Sequence, residues 1–244
     1  MRALIVGVVA GALSGLFGVG GGILIVPGLV LFAGLGQRRA HATSLAAIVP
    51  IATGGVAGYA LEGSVDWTAA ALLAIGGAGG AVLGTRWLHR IPEQRLRRGF
   101  ALFLVAAAIA LVFHVSPGTG RGPIEAWTGV ALIGVGLASG ILAGLLGVGG
   151  GILIVPAMIL LLSVPDAVAK GTSLAVIIPT ALAGTIRNVR HGDVHGRAAA
   201  AVGVGGVAAA FGASLLSVRL EPRVSSWLFA GLLVVLAVWL FRRD

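Results

Sequence analysis

The chain says the same thing twice, and both copies are interrupted at the same place. Residues 16–27 read LFGVGGGILIVP and residues 145–156 read LLGVGGGILIVP, identical at eleven of twelve positions. The offset of 129 residues then holds without a gap: His41-Ala42-Thr43-Ser44-Leu45-Ala46 falls on Lys170-Gly171-Thr172-Ser173-Leu174-Ala175, Pro50 on Pro179 and Gly63 on Gly192. It holds backwards too, with Gly7, Gly11 and Gly15 falling on Gly136, Gly140 and Gly144. Two copies of an apolar unit, each opened by glycine at one equivalent point, form the pattern of a transporter with a central binding site.

The repeated unit is built for a bilayer. Hydrophobic residues make up 58% of the chain and charged ones only 10%, against about a quarter charged in a soluble domain. Apolar stretches of spanning length occupy 42–60, 68–88, 99–115, 172–189, 198–217 and 225–241. Each meets the requirement of about 20 residues for a helix that crosses the hydrocarbon layer. The 41 glycines suit closely packed membrane helices. The chain therefore reads as an all-α polytopic membrane protein, with a first repeat over 1–115, a linker over 116–125 and a second repeat over 126–244.

A formal charge of +9 would raise nucleic acid as a partner in a soluble chain. Here the arginines cluster between spans, where membrane topology explains them and no nucleic-acid surface is needed. The expected partners are the lipid bilayer and a small anion. There is no cysteine, so thiol and disulfide chemistry are excluded. Met1-Arg2 and the apolar run that follows mimic a leader, but the matching stretch 133–144 is internal. Residues 3–15 thus read as part of the first membrane unit.

Segments 3–33 and 126–162 are longer than one crossing needs, and the glycine clusters divide them. Each glycine in a helix costs about 1 kcal/mol relative to alanine, so four in five residues favour an opening. Freed backbone groups at membrane depth must be covered by protein or line a cavity. A re-entrant hairpin or a broken helix, with two arms of about 20 Å, fits the length. Arginine placement separates the alternatives. If all eight segments cross once, the better orientation divides the 17 cations ten against seven. If both long segments return to the side they left, thirteen cations collect on one side and Arg121, Lys170, Arg219 and Arg223 remain on the other. That asymmetry is the mark of cytoplasmic loops. Each repeat then holds three spanning helices plus a glycine-broken segment, and the two copies are inverted.

The Gly7-Gly11-Gly15 ladder and its counterpart have the four-residue period of helix packing and are assigned to it. Consecutive glycines gain nothing from that period. Gly18, Gly20, Gly21 and Gly22, with Gly147, Gly149, Gly150 and Gly151, are therefore expected to line a backbone site whose half-helix amides face an anion. Thr43, Ser44, Thr172 and Ser173 add hydroxyls, and Lys170 adds a cation beside them; capping and solvation are the plainer roles for these residues. Arg187 and Asn188 read as headgroup contacts at a span end. Tyr59 and the tryptophans read as interfacial anchors, and Pro50 and Pro179 as mid-span bends. Neither cluster continues into a dinucleotide or phosphate-loop motif. No catalytic or metal constellation stands out, so no enzyme activity, metal or cofactor is expected. His191 and His195 are a weak pair in a link.

The element from Gly11 to Pro27 with Ala42 to Ala46, repeated from Gly140 to Pro156 with Gly171 to Ala175, resembles the TauE/SafE family of membrane transport proteins, also called sulfite exporter or sulfonate permease-like proteins. The resemblance covers nearly the whole chain. It implies a multi-pass protein of a bacterial or archaeal cytoplasmic (inner) membrane that moves small sulfur-containing anions such as sulfite or sulfonates, and it leaves assembly into a homo-oligomer open. His41 departs from Lys170, so any site is asymmetric. The expected function is a secondary transporter of a small oxyanion, set against a passive anion channel and a non-transporting membrane scaffold subunit.

Overall fold

A computed structural model describes residues 2–87, 101–102, 104–109, 126–147 and 149–241. The proposed linker 116–125 and most of the apolar stretch 99–115 lie outside them. The described residues form helices α1 (Arg2–Phe17), α2 (Gly22–Ala33), α3 (Gln37–Leu61), α4 (Trp67–Trp87), α5 (Ala126–Leu146), α6 (Gly151–Leu162), α7 (Asp166–Arg190), α8 (Gly196–Arg219) and α9 (Pro222–Phe241). The remaining helical residues lie within 101–109. The 129-residue offset survives folding: α2 and α6, and α3 and α7, begin and end at equivalent positions.

Among the described residues five helices are long and apolar enough to cross a membrane: Gln37–Leu61, Trp67–Gly84, Ala126–Leu145, Asp166–Arg190 and Gly196–Arg219. Large apolar side chains such as Leu31, Ile75, Val130, Val204 and Val235 lie on the outside of the bundle. In water that surface would be costly; against lipid it is the natural one.

The glycine breaks turn the chain back. Val6 and Gly28 stand 22 positions apart, which a continuous helix would stretch to about 33 Å. Instead a Cβ on Gly28 would lie 2.7 Å from a Val6 methyl, so α1 and α2 form a hairpin. In the second half the Ser139 hydroxyl donates to the Gly150 carbonyl at 2.8 Å. One arm differs from expectation. Helix α5 has 21 residues, about 31 Å at 1.5 Å per residue, and is long enough to span by itself. Its length matches the partner it packs against.

That partner belongs to the other half. A Cβ on Gly11 would sit 2.2 Å from the Gly206 carbonyl oxygen, and one on Gly140 would sit 2.1 Å from that of Gly77. Gly7 and Gly136 press in the same way on Val202 and Leu73. Helix α1 thus runs parallel to α8 and α5 parallel to α4, each half lending a helix to the other. Only glycine allows backbones so close, and the ladders serve packing as their period predicts.

These contacts orient the halves. At one end Arg38 pairs with Asp193 at 2.9 Å, which places the start of α3 beside the end of α7. Parallel packing of α1 on α8 brings Arg2 and Arg197 to that end as well. At the other end the Asp66 N–H donates to Thr172 Oγ1 at 2.9 Å, so the start of α4 lies near the start of α7. Equivalent helices therefore run in opposite senses, and the repeats are inverted. Among the described residues Arg2, Arg38, Arg39, Arg187, Arg190 and Arg197 gather at one end. Glu62, Asp66, Asp166, Lys170, Arg219, Glu221 and Arg223 gather at the other.

Candidate functional site

Three glycines in each cluster adopt left-handed backbone. Gly18, Gly20 and Gly21 have φ of 70, 79 and 72°, and Gly147, Gly149 and Gly150 have 67, 86 and 77°. A residue with a Cβ pays about 1–2 kcal/mol at such an angle, which accounts for glycine at these positions. Gly21 and Gly150 immediately precede α2 and α6, and no side chain caps either helix. The leading N–H groups, those of Gly22 and Gly151, therefore have no capping side chain, while Leu24 and Leu153 donate back to the Gly21 and Gly150 carbonyls at 3.1 Å.

The two loops meet at the centre of the molecule. A Cβ on Gly151 would lie 2.4 Å from the Gly18 carbonyl oxygen. Gly20 and Gly149 both face Ile48 and Ile177, an equivalent pair in the middle of α3 and α7. Ile48 and Ile177 are completely buried, and so are nearly all the groups around them. The centre is closed.

Hydroxyls tie each loop to the opposite half. Ser44 donates to the Gly147 carbonyl at 3.1 Å and Ser173 to the Gly18 carbonyl at 2.9 Å. Thr43 accepts from the His195 N–H at 3.0 Å, as Thr172 does from Asp66. The serine protons are thus committed to carbonyls, and an anion would gain them only when the loops shift. Sequence reasoning placed these hydroxyls beside the glycines but did not foresee that they hold the halves together.

Lys170 and His41 occupy equivalent places against the loops. A Cβ on Gly18 would lie 2.7 Å from Lys170 Cα, and one on Gly147 would lie 2.9 Å from His41 Nδ1. Lys170 is 1% exposed. Its ammonium pairs with Asp166 Oδ2 at 2.7 Å, donates to the Ser225 hydroxyl, reaches Ser217 Oγ at 3.5 Å and sits 5.8 Å from the Phe17 ring centre. The sequence places Lys170 beside the loops as a cation, and the structure pairs that cation with a carboxylate. Asp166 lies four residues earlier on the same helix face, a spacing that brings two side chains together, so this partner was recoverable from sequence.

Several other residues are placed by packing and hydrogen bonds. Tyr59 is fully buried and donates to the Gly15 carbonyl at 2.7 Å, which makes it a tie between α3 and α1 rather than an interfacial anchor. Arg187 donates to the Val82 carbonyl at 3.2 Å. His195 caps α8 through the Ala198 N–H at 3.2 Å, and His191 Nδ1 lies 2.8 Å from the Arg187 carbonyl. Pro50 and Pro179 lie inside α3 and α7 as expected. Trp67, Trp127 and Trp227 stand exposed near helix starts.

The model of the family described as sulfite exporter TauE/SafE matches residues 1–111 and 132–244. A probable membrane transporter protein of Xylella fastidiosa is 29% identical over 253 residues, covering 100% of this chain and 97% of its own. YunE, a probable membrane transporter protein of Bacillus subtilis, is 28% identical over 218 residues, 79% of each chain. A probable membrane transporter protein of Methanocaldococcus jannaschii is 30% identical over 192 residues, 75% of this chain and 70% of its own.

Proposed function

The chain belongs to the sulfite exporter TauE/SafE family, and from that premise we propose that this multi-pass membrane transporter carries a small sulfur oxyanion, such as sulfite or a sulfonate, by alternating access of its two inverted halves. The observation that carries this reading is the meeting of two uncapped, left-handed glycine loops at the buried centre. Backbone N–H groups at helix starts are anion donors in a setting where water is scarce. In this reading Gly20, Gly21, Gly22, Gly149, Gly150 and Gly151 supply the amides; the Gly18 and Gly147 N–H groups already donate to the Ser14 and Ala143 carbonyls at 2.8 Å, so these two glycines shape the loops. Thr43, Ser44, Thr172 and Ser173 supply hydroxyls as the loops part, and Lys170 supplies charge.

Access alternates when one loop separates from the opposite half, exchanging the Ser44–Gly147 or the Ser173–Gly18 bond for anion contacts. Ile48 and Ile177 close the centre in between. A carrier is favoured over a passive channel because anything that crosses must first part these buried groups. With no nucleotide motif, the energy comes from an ion or substrate gradient. The arginine-rich end faces the cytoplasm in an inner membrane.

Uptake of labelled sulfite and methanesulfonate into proteoliposomes tests the reading. The expected result is saturable uptake that Gly149→Leu abolishes while the protein still folds. Absence of uptake for every sulfur oxyanion, or full uptake by Gly149→Leu, would overturn it.

A further inference from the structure

The buried ion pair is present in only one half. Asp166 and Lys170 correspond to Gln37 and His41 of the first repeat, which cannot form a carboxylate–ammonium pair. The pair is buried in the first turns of a helix long and apolar enough to span, and ionisable groups within such helices usually mark the path of a substrate or a proton.

The carboxylate of Asp166 is bonded unevenly. Its Oδ2 accepts from Lys170 at 2.7 Å and from the Ser225 hydroxyl at 2.6 Å. Its Oδ1 is buried with no hydrogen-bond partner among the described residues. An oxygen without a hydrogen bond can take a proton without breaking an existing bond. The Asp166 side chain is 10% exposed against 1% for Lys170, so a proton arriving from this end reaches the acid first. The groups around the pair come from four other helices: Phe17 of α1, Tyr59 of α3, Ser217 of α8 and Ser225 of α9. Other titratable groups at this end are otherwise placed. Asp66 caps α4 through the Ala69 N–H at 3.0 Å, and Glu62, Arg219, Glu221 and Arg223 are exposed.

We propose that Asp166 is the proton site of a proton-linked anion cycle, in which protonation of its carboxylate releases the Lys170 ammonium to take the substrate anion. The step balances. A proton from the solution at this end forms an O–H bond at Oδ1, the Asp166–Lys170 ion pair breaks, and an ammonium–anion pair replaces it. The site is neutral before the step, and with one proton and one monovalent anion added it is neutral after. Proton and anion therefore travel together, and the buried cluster never carries a net charge. The inference rests on the transport reading above and adds its coupling ion.

The test uses purified full-length protein with methanesulfonate, whose charge does not change with pH. Binding is followed calorimetrically across the pH range, and proton uptake is followed with a dye in weak buffer. Linkage of one proton to one anion makes the dissociation constant rise about tenfold per pH unit over the range in which the anion-free protein lacks that proton. Wild-type protein should take up one proton per anion bound. Asp166→Asn should bind with no pH slope and no proton uptake, and methanesulfonate should raise its melting temperature. A flat wild-type profile without proton uptake overturns the proposal, as does a wild-type slope retained by Asp166→Asn. The wild-type measurement decides the matter even if the variant fails to fold. If methanesulfonate, sulfite and sulfate bind neither protein at any pH, the transport reading falls first and takes this inference with it.

Discussion

The two places where a glycine loop meets the opposite half are alike in backbone and unlike in charge. At both, a glycine near φ 70° packs on a residue in the first turns of a long helix, and a serine from that helix bonds the glycine carbonyl. At one junction the packed residue is Lys170, paired with Asp166 in a cluster drawn from several helices. At the other it is His41. In the proposed cycle the shared feature is the hinge that both halves operate, and the unshared ion pair makes the two faces unequal. A carrier with two identical junctions would have no preferred face.

The sharpest way to break this comparison is to substitute the unlike residues. Lys170→Met leaves the Asp166 carboxylate buried without its cation and should cost about 3–5 kcal/mol. His41→Met should cost no more than about 1–2 kcal/mol, the scale of one buried polar contact. Thermal melts in detergent read both, and equal losses would remove the asymmetry.

The next test addresses what the halves share. Gly20→Ala and Gly149→Ala each force a Cβ into left-handed backbone at about 1–3 kcal/mol. They should lower stability and anion flux by similar amounts. A flux loss confined to one variant would mean that only one loop serves the anion. Ser44→Ala and Ser173→Ala should be milder, at about 1 kcal/mol each. Because their loops touch, the double variant should depart from additivity by about 0.5 kcal/mol or more. The smallest effect is expected at Arg38, which is 58% exposed where it meets Asp193. Arg38→Ala should change stability by less than about 1 kcal/mol, and less still at high salt.

Much of this arrangement was legible in the chain. The offset between copies foretold that α2 and α6, and α3 and α7, share equivalent limits, because equivalent sequence meets equivalent surroundings in an inverted pair; the spans read at 42–60 and 172–189 proved longer at both ends. Glycine runs located both breaks, since few other residues tolerate those angles. Arginine spacing separated the two ends. Partner choice was hidden: a Gly7-Gly11-Gly15 ladder announces a close neighbour without saying that it is α8 of the other half. The hydroxyl of Ser44 was placed near a loop, but which carbonyl it meets depends on the exchange of helices. Tyr59 looked like an interfacial residue because its position in the span was read without its neighbours. Asp166 was passed over because it sits at a helix start, where acids are commonly solvated or complement the dipole.

The inverted fold is the claim on which the shared hinge and the one-sided proton site both depend. The chain has no cysteine, so any introduced thiol is its only one. Single cysteines at positions 38 and 190, and separately at 62 and 221, all exposed, can be labelled in intact vesicles with a membrane-impermeant maleimide. The account predicts that 38 and 190 react from one face and 62 and 221 from the other. Labelling of 38 and 190 from opposite faces would contradict it.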